Sequence, residues 1–451
     1  ISPGLKAEMM ALCKLDFLVT FTIIALVILL GKIILQRYQL QPSPLNWLLL
    51  GLLALSLLSL ACADYKSLSL YGSIDRREGT LAWLCYLGLF ITALNTKPPA
   101  AFTRKITWAL AIVVFINLSL GLLDLNGVNV LESNLVDRLI TPYGVGEHGV
   151  EGTLPNTVGN INFASGLFSA LAAGFFVLAL HQRTLKEMAL PLILGAGSLL
   201  NLAMAKSSSG FVALFLAIPL LVLLVLTPEN KKRNLAIIAV SSLLVVTMLW
   251  GAKSFYYPVY HEAVKEPLAA WQQIHILKEK QPLPESDFET SLDLPQPQVA
   301  PGSGRLYIWN KTRELITEKP WLGYGKDTLT YHFPQNDREK IANLATYRIS
   351  VDKPHNHYLD VAFGLGIPAV LFMLALFMYS LYRIFRYVFR ASPSPEKEAL
   401  AAFVLAFSSV YLLQWIFNDS VIGSAVIFWI LLGLATGLTL PADKQEATQH
   451  N

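Results

Sequence analysis

Long apolar runs separated by short polar connections dominate the chain, and each run is close to the ~20 helical residues that cover the hydrocarbon core of a bilayer. They fall at about 17–35, 45–62, 80–95, 107–124, 161–180, 189–205, 210–227, 234–251, 358–384, 399–417 and 421–440. The pattern predicts an all-α integral membrane protein of about 11–12 transmembrane helices with one large helical extracytoplasmic loop. An N-terminal bundle of about eight spans occupies 1–251, the loop 252–357, about three C-terminal spans 358–440, and a cytoplasmic tail 441–451. Composition points the same way: 54% of the residues are hydrophobic and 15% charged, with a mean hydropathy of +0.49, far from the balance of a soluble domain.

Charge adds a direction to this picture. Arg37; Lys97, Arg104 and Lys105; Arg183 and Lys186; Lys231, Lys232 and Arg233; and Arg383, Arg386, Arg390 and Lys397 follow the first, third, fifth, seventh and ninth runs. Basic connections stay in the cytoplasm, so 63–79, 125–160, 206–209 and 252–354 are predicted to face outward, and the elaborate sequence lies on that side. The net charge of +4 sits in these clusters, where it sets orientation and offers no nucleic-acid footprint. Cys13, Cys62 and Cys85 lie in or beside apolar segments without CxxC spacing and are expected to be buried small hydrophobes.

The outward connections hold the candidate chemistry. Asp75, Arg76, Arg77 and Glu78 precede the third run, either as a self-paired solvated cluster or with an arginine turned to a phosphate, which its planar fork suits better than lysine does. The second loop ends in GTLPNTVGNINFASG, where Asn160 and Asn162 can satisfy a non-helical backbone, in a re-entrant cap or an ordinary polar turn. Lys206, in the tight AMAKSSSGF turn beside Ser207, Ser208 and Ser209, either snorkels to headgroups or holds an anion.

The large loop opens on SFYYPVYHEAVKEPLAAWQQIHILKEK, a pattern for a helix along the membrane surface, and continues through an irregular proline-rich connector. A helix then starts near Ser303, with Arg305, Trp309, Thr312 and Ile316 on the face toward the membrane domain. Arg305 there is a structural anchor, through cation–π contact or an ion pair, or a functional cation. After Pro320 and the WLGYGKDT turn, KPHNHYLDVAFGLGIPAVLF brings His355 to the edge of a long apolar helix, in reach of both water and membrane.

These residues carry a resemblance. GSGRLYIWNKTRELITEKPWLGYG followed by PHNHYLDVAFGLGIPAVLF resembles the O-antigen ligase and polymerase family, membrane glycosyltransferases of the GT-C type that handle glycans on undecaprenyl diphosphate. The family marker is a His followed by Asn, Ser or Gln, nine residues, then Gly-x-x-Gly; His355, Asn356, the gap and Gly366 fit, and Ala369 replaces the second glycine. Arg305 matches an arginine placed before a Trp-containing helix, and GNINFASG, with Asn162, resembles an Asn-rich segment before a middle span. Many members carry Ser-Arg-Gly where this chain has Ser208-Ser209-Gly210, which leaves only Lys206 nearby.

The resemblance implies transfer of a glycan from an undecaprenyl-diphosphate donor to a glycan or lipid-glycan acceptor at the outer face of a bacterial cytoplasmic membrane. A sugar hydroxyl is a poor nucleophile, and His355 is assigned as the base that takes its proton. The charge growing on the diphosphate falls to Arg305, helped by Arg76, Arg77, Lys206, Arg348 or Lys353. Asp352 or Asp360 is expected to orient the imidazole. The outward loops hold no DxD or DDxxD, and His355 and His357, at i and i+2, diverge, so neither metal nor cofactor is expected. Ligase and polymerase share these motifs, the histidine spacing leaning to ligase. A polyprenyl-glycan transporter is disfavoured by sparse mid-span ionisable residues and the lack of an internal repeat. A scaffold would tolerate loss of His355 and Arg305.

Overall fold

The computed structural model describes residues 11–74, 76–96, 99, 101–130, 156–205, 207–225, 295, 297–300, 302–346, 348–390 and 395–440. The predicted span at 234–251 with its Lys231, Lys232 and Arg233, the surface helix after 252 and most of its connector, much of the second loop, Asp75, Lys97, Lys206 and the tail 441–451 lie outside the described residues.

What is described is helical: α1 Ala11–Leu35, α2 Pro44–Cys62, α3 Lys66–Tyr71, α4 Thr80–Leu94, α5 Phe102–Leu125, α6 Ile161–Leu180, α7 Leu185–Met204, α8 Ser209–Val225, α9 Arg305–Glu318, α10 Leu329–His332, α11 Glu339–Leu344, α12 His357–Leu365, α13 Ile367–Val388, α14 Pro395–Gln414 and α15 Ile422–Leu438. The one β pairing among the described residues is an isolated bridge between Val299 and Leu344. Six helices, α1, α2, α5, α6, α7 and α13, are long and apolar enough to cross a membrane; α4, α8 and α15 are shorter apolar helices.

Small residues decide which helix takes the centre. α6, INFASGLFSALAAGFFVLAL, is buried almost throughout and is enclosed by α7, α8 and α14. With no hydrophobic drive between helices in lipid, such packing rests on close backbone approach. Gly433 and Gly437 give α15 that approach to α4: a Cβ there would lie 2.7 Å from the Phe90 carbonyl oxygen and 2.4 Å from that of Leu94. Large apolar residues such as Phe21, Trp47, Ile112, Phe215 and Met378 are exposed around the outside, as a lipid-facing belt requires. Cys85 is buried, but Cys13 and Cys62 are exposed, against expectation, because α1 and α2 lie at the rim of the bundle.

The connections gather at two opposite ends, in the alternation that the basic clusters predict. At one end Asn95 accepts from Gln41 N at 2.9 Å, Thr103 donates to the Glu396 carbonyl, and Arg383 to that of Thr439. At the other, Ser73 N donates to Asp327 at 2.6 Å, Ser207 to Asn162 at 2.7 Å and Asn418 to Ser209 at 2.9 Å.

The run predicted as one helix at 358–384 is two. It breaks at Gly366, whose φ of 88° is left-handed. The cause is the turn after α9, which interlocks with it: Tyr324 N donates to Phe363 O at 2.8 Å, Gly325 N to Gly364 O at 2.9 Å, and Ile367 N to Pro320 O at 2.8 Å. A Cβ on Gly366 would sit 2.2 Å from the Trp321 carbonyl oxygen. Both backbone conformation and space therefore demand glycine. Gly366→Ala is expected to cost about 3 kcal/mol, read as a lowered thermal midpoint in detergent; an unchanged midpoint would show that the interlock yields freely.

Candidate active site

Two segments, one before α9 and one before α12, are shaped by left-handed residues. Gly302, Ser303 and Gly304 all have positive φ, so the helix predicted to start near Ser303 begins at Arg305. One turn on, Trp309 Nε1 donates to the Pro354 carbonyl at 2.8 Å. α9 therefore holds the residue just before His355. On the other side of His355, the Asn356 side chain caps α12 by accepting from Leu359 N at 3.1 Å, and His357 N donates to the carbonyls of Trp415 (2.9 Å) and Asn418 (3.1 Å). Between these anchors His355 takes φ 51°, a conformation uncommon outside glycine and frequent where a site over-determines the backbone.

His355 Nδ1 lies 2.9 Å from Oδ2 of Asp419, with the imidazole 38% and the carboxylate 1% exposed. Burial pushes the Asp419 carboxyl up, but the His355, Arg76 and Lys353 cations outweigh it and hold it at about 2. An ionised carboxylate only accepts, so in neutral His355 the proton is on Nδ1 and Nε2 carries the lone pair. The predicted orienting carboxylates do not do this. Asp352 pairs with Arg76 at 2.8 Å, and Asp360 is bound by Lys326 and Lys353. Asp419 escaped sequence reasoning because it stands 64 residues past the histidine, yet it is the only charged residue between 399 and 440, a signal for function in an apolar stretch.

Arg305 lies in the field of the same carboxylate. Burial lowers the proton affinity of its half-buried guanidinium and the Asp419 charge raises it, and among the described residues it has neither an ion pair nor a side-chain hydrogen bond. Arg76 is engaged with Asp352 and, at 3.3 Å, with Asp419. Arg77 is half-buried, at φ 57°, with no carboxylate partner among the described residues. Arg348 is exposed. Lys353 is enclosed, 3.0 Å from both Asp327 and Asp360, which removes it from the cations available to a substrate. Asn162 sits at the start of α6, where Asn160 caps the helix by accepting from Asn162 N at 2.8 Å, and the preceding turn is held by Asn156. The Phe163 ring lies 5.9 Å from the Arg76 guanidinium carbon. His357 diverges from His355 as predicted and is buried between Trp83 and Trp415.

The described residues thus form a helical, multi-pass membrane bundle with an imidazole–carboxylate pair and two guanidinium groups without carboxylate partners at one end. Residues 193–374, from within α7 to within α13, match the O-antigen ligase family model. Arg305, His355, Asn356 and Gly366 lie inside the match; Arg76 and Asp419 lie outside it. The family implies glycan transfer from lipid-linked substrates. No curated protein matches the chain.

Proposed function

We propose that this protein is a membrane glycosyltransferase that moves a glycan from undecaprenyl diphosphate to an acceptor hydroxyl at the extracytoplasmic face of a bacterial cytoplasmic membrane, without a metal. The basic end of the bundle is then cytoplasmic, and 252–357 is the extracytoplasmic loop. One observation carries the reading: His355 bonds Asp419 at 2.9 Å, and the uncommitted Arg305 lies in the field of that same carboxylate. A base and a cation thus stand together, although 50 residues separate them along the chain (355 minus 305).

In this mechanism His355 Nε2 takes the acceptor proton as the hydroxyl oxygen bonds to the anomeric carbon. The bond from that carbon to the diphosphate oxygen breaks, and its electron pair leaves with undecaprenyl diphosphate. Arg305 and Arg77 meet the added charge, and the imidazolium returns its proton to water. Asp419 holds the ring and stabilises its charged form. The carboxylates around His355, Asp352, Asp360 and Asp419, each already face a cation of the protein, which supports a reaction run on fixed guanidinium groups. The acceptor separates a ligase from a polymerase, and the description of the matched family supports the ligase.

Purified protein incubated with an undecaprenyl-diphosphate oligosaccharide is expected to release undecaprenyl diphosphate and extend a lipid-core acceptor in the presence of EDTA. Release that needs added Mg²⁺ or Mn²⁺ would overturn the metal-free mechanism. Extension of a second lipid-linked unit alone would make the protein a polymerase.

A further inference from the structure

Arg76 and Arg77 are neighbours in one loop and were equal candidates for the diphosphate by sequence, but the fold treats them differently. The Arg76 side chain is 6% exposed, with one terminal nitrogen 2.8 Å from Asp352 and the other 3.3 Å from Asp419. Its contact on Asp419 is Oδ2, the same oxygen that His355 Nδ1 approaches at 2.9 Å. Asp352 lies three residues before His355, so one guanidinium joins three separate segments: its own loop, the strand of chain leading to His355, and the turn between α14 and α15. That last turn is also held from behind, where Asn418 donates to Ser209.

Resting on the glycosyl-transfer reading, we infer that Arg76 is a positioning residue and not a ligand of the diphosphate. It fixes Asp419 and through it the His355 ring, leaving the substrate charge to Arg77 and Arg305. A phosphate could reach Arg76 only by displacing a carboxylate and leaving it in a buried place without its counter-charge, a costly exchange. Arg77 asks for no such exchange, having no carboxylate partner among the described residues; the neighbouring Glu78 accepts from Tyr86 at 2.6 Å. The planar fork matters here, because it meets the two carboxylates through two separate terminal nitrogens in fixed directions, a geometry that a single ammonium nitrogen at this position does not reproduce.

The division is tested by separating kcat from KM for the lipid-diphosphate donor. In Arg76→Lys, which keeps the charge but loses the two-nitrogen fork, kcat is expected to fall about tenfold with donor KM within twofold of the wild type. The pair Arg76→Gln/Asp352→Asn removes the bridge with less uncompensated charge, and kcat is expected to fall about 100-fold, again at unchanged KM. In Arg77→Gln, donor KM is expected to rise at least tenfold. A tenfold rise in donor KM for Arg76→Lys, or wild-type kcat in the Arg76→Gln/Asp352→Asn pair, would overturn the inference. Full activity of His355→Ala would instead overturn the glycosyl-transfer reading beneath it, so the two failures are told apart.

Discussion

Replacing His355 by alanine is expected to lower the turnover of glycan transfer by about a thousandfold, within the range of a lost general base, with donor KM little changed. The side chain is part-exposed and its loss leaves the buried framework in place, so the variant should purify and unfold like the wild type. Asp419→Asn probes the same pair from the other side. A neutral amide offers Nδ1 either an oxygen or an N–H, so the ring loses both its imposed tautomer and the counter-charge for its protonated form. Turnover should fall by about 100-fold or more. Asp419 is held at about 2, below its ordinary value, so its contribution to stability is complete above the unfolded carboxylate range, declines as pH falls below that range and is gone once pH has fallen through about 2. Over the working range Asp419 is always ionised and supplies no acid limb of its own. Turnover of His355→Ala within tenfold of the wild type would remove the base from the mechanism.

The second large effect is on stability. Lys353→Met is expected to destabilise the protein by about 3–5 kcal/mol, the cost of breaking a buried ion pair from one side. Lys353 lies between Asp327 and Asp360 at 3.0 Å from each. Burial alone would push the ammonium toward neutrality, but the two carboxylates outweigh it and raise its proton affinity. Without Lys353, Asp360 keeps Lys326, whereas Asp327 keeps, among the described residues, the Ser73 N–H. Lys353→Met/Asp327→Asn is therefore expected to recover a substantial part of the loss. Unfolding in mixed detergent micelles measures both. A single variant within about 1 kcal/mol of the wild type would mean that water reaches this cluster and screens it.

These two residues also show where sequence reasoning stops. Lys353 looked like a cation poised beside His355, and proximity along the chain was right. Its burial between Asp327 and Asp360 depends on the turn after α9 folding back against α12, a pairing no local pattern announces. The glycines of WLGYG and FGLG were visible as turn signals, but not the mutual interlock that makes Gly366 break the helix. Asp352 and Asp360 were sensible orienting groups by distance along the chain; Asp419 replaced them because α14 returns its far end to the site.

Features repeated over a single helix were legible from the residue order: the helical class, ten of the eleven runs now seen as helices, and the grouping of alternate connections at opposite ends. Each rests on local hydrophobicity and charge, which act over about 20 residues at a time. The partnerships at the site were not legible, because Arg76 and Asp419 are 343 residues apart and their meeting depends on which helices pack side by side. That choice is made by small residues, backbone approach and the satisfaction of buried charge. Such terms exist only between segments, so they become readable only once the segments are in contact.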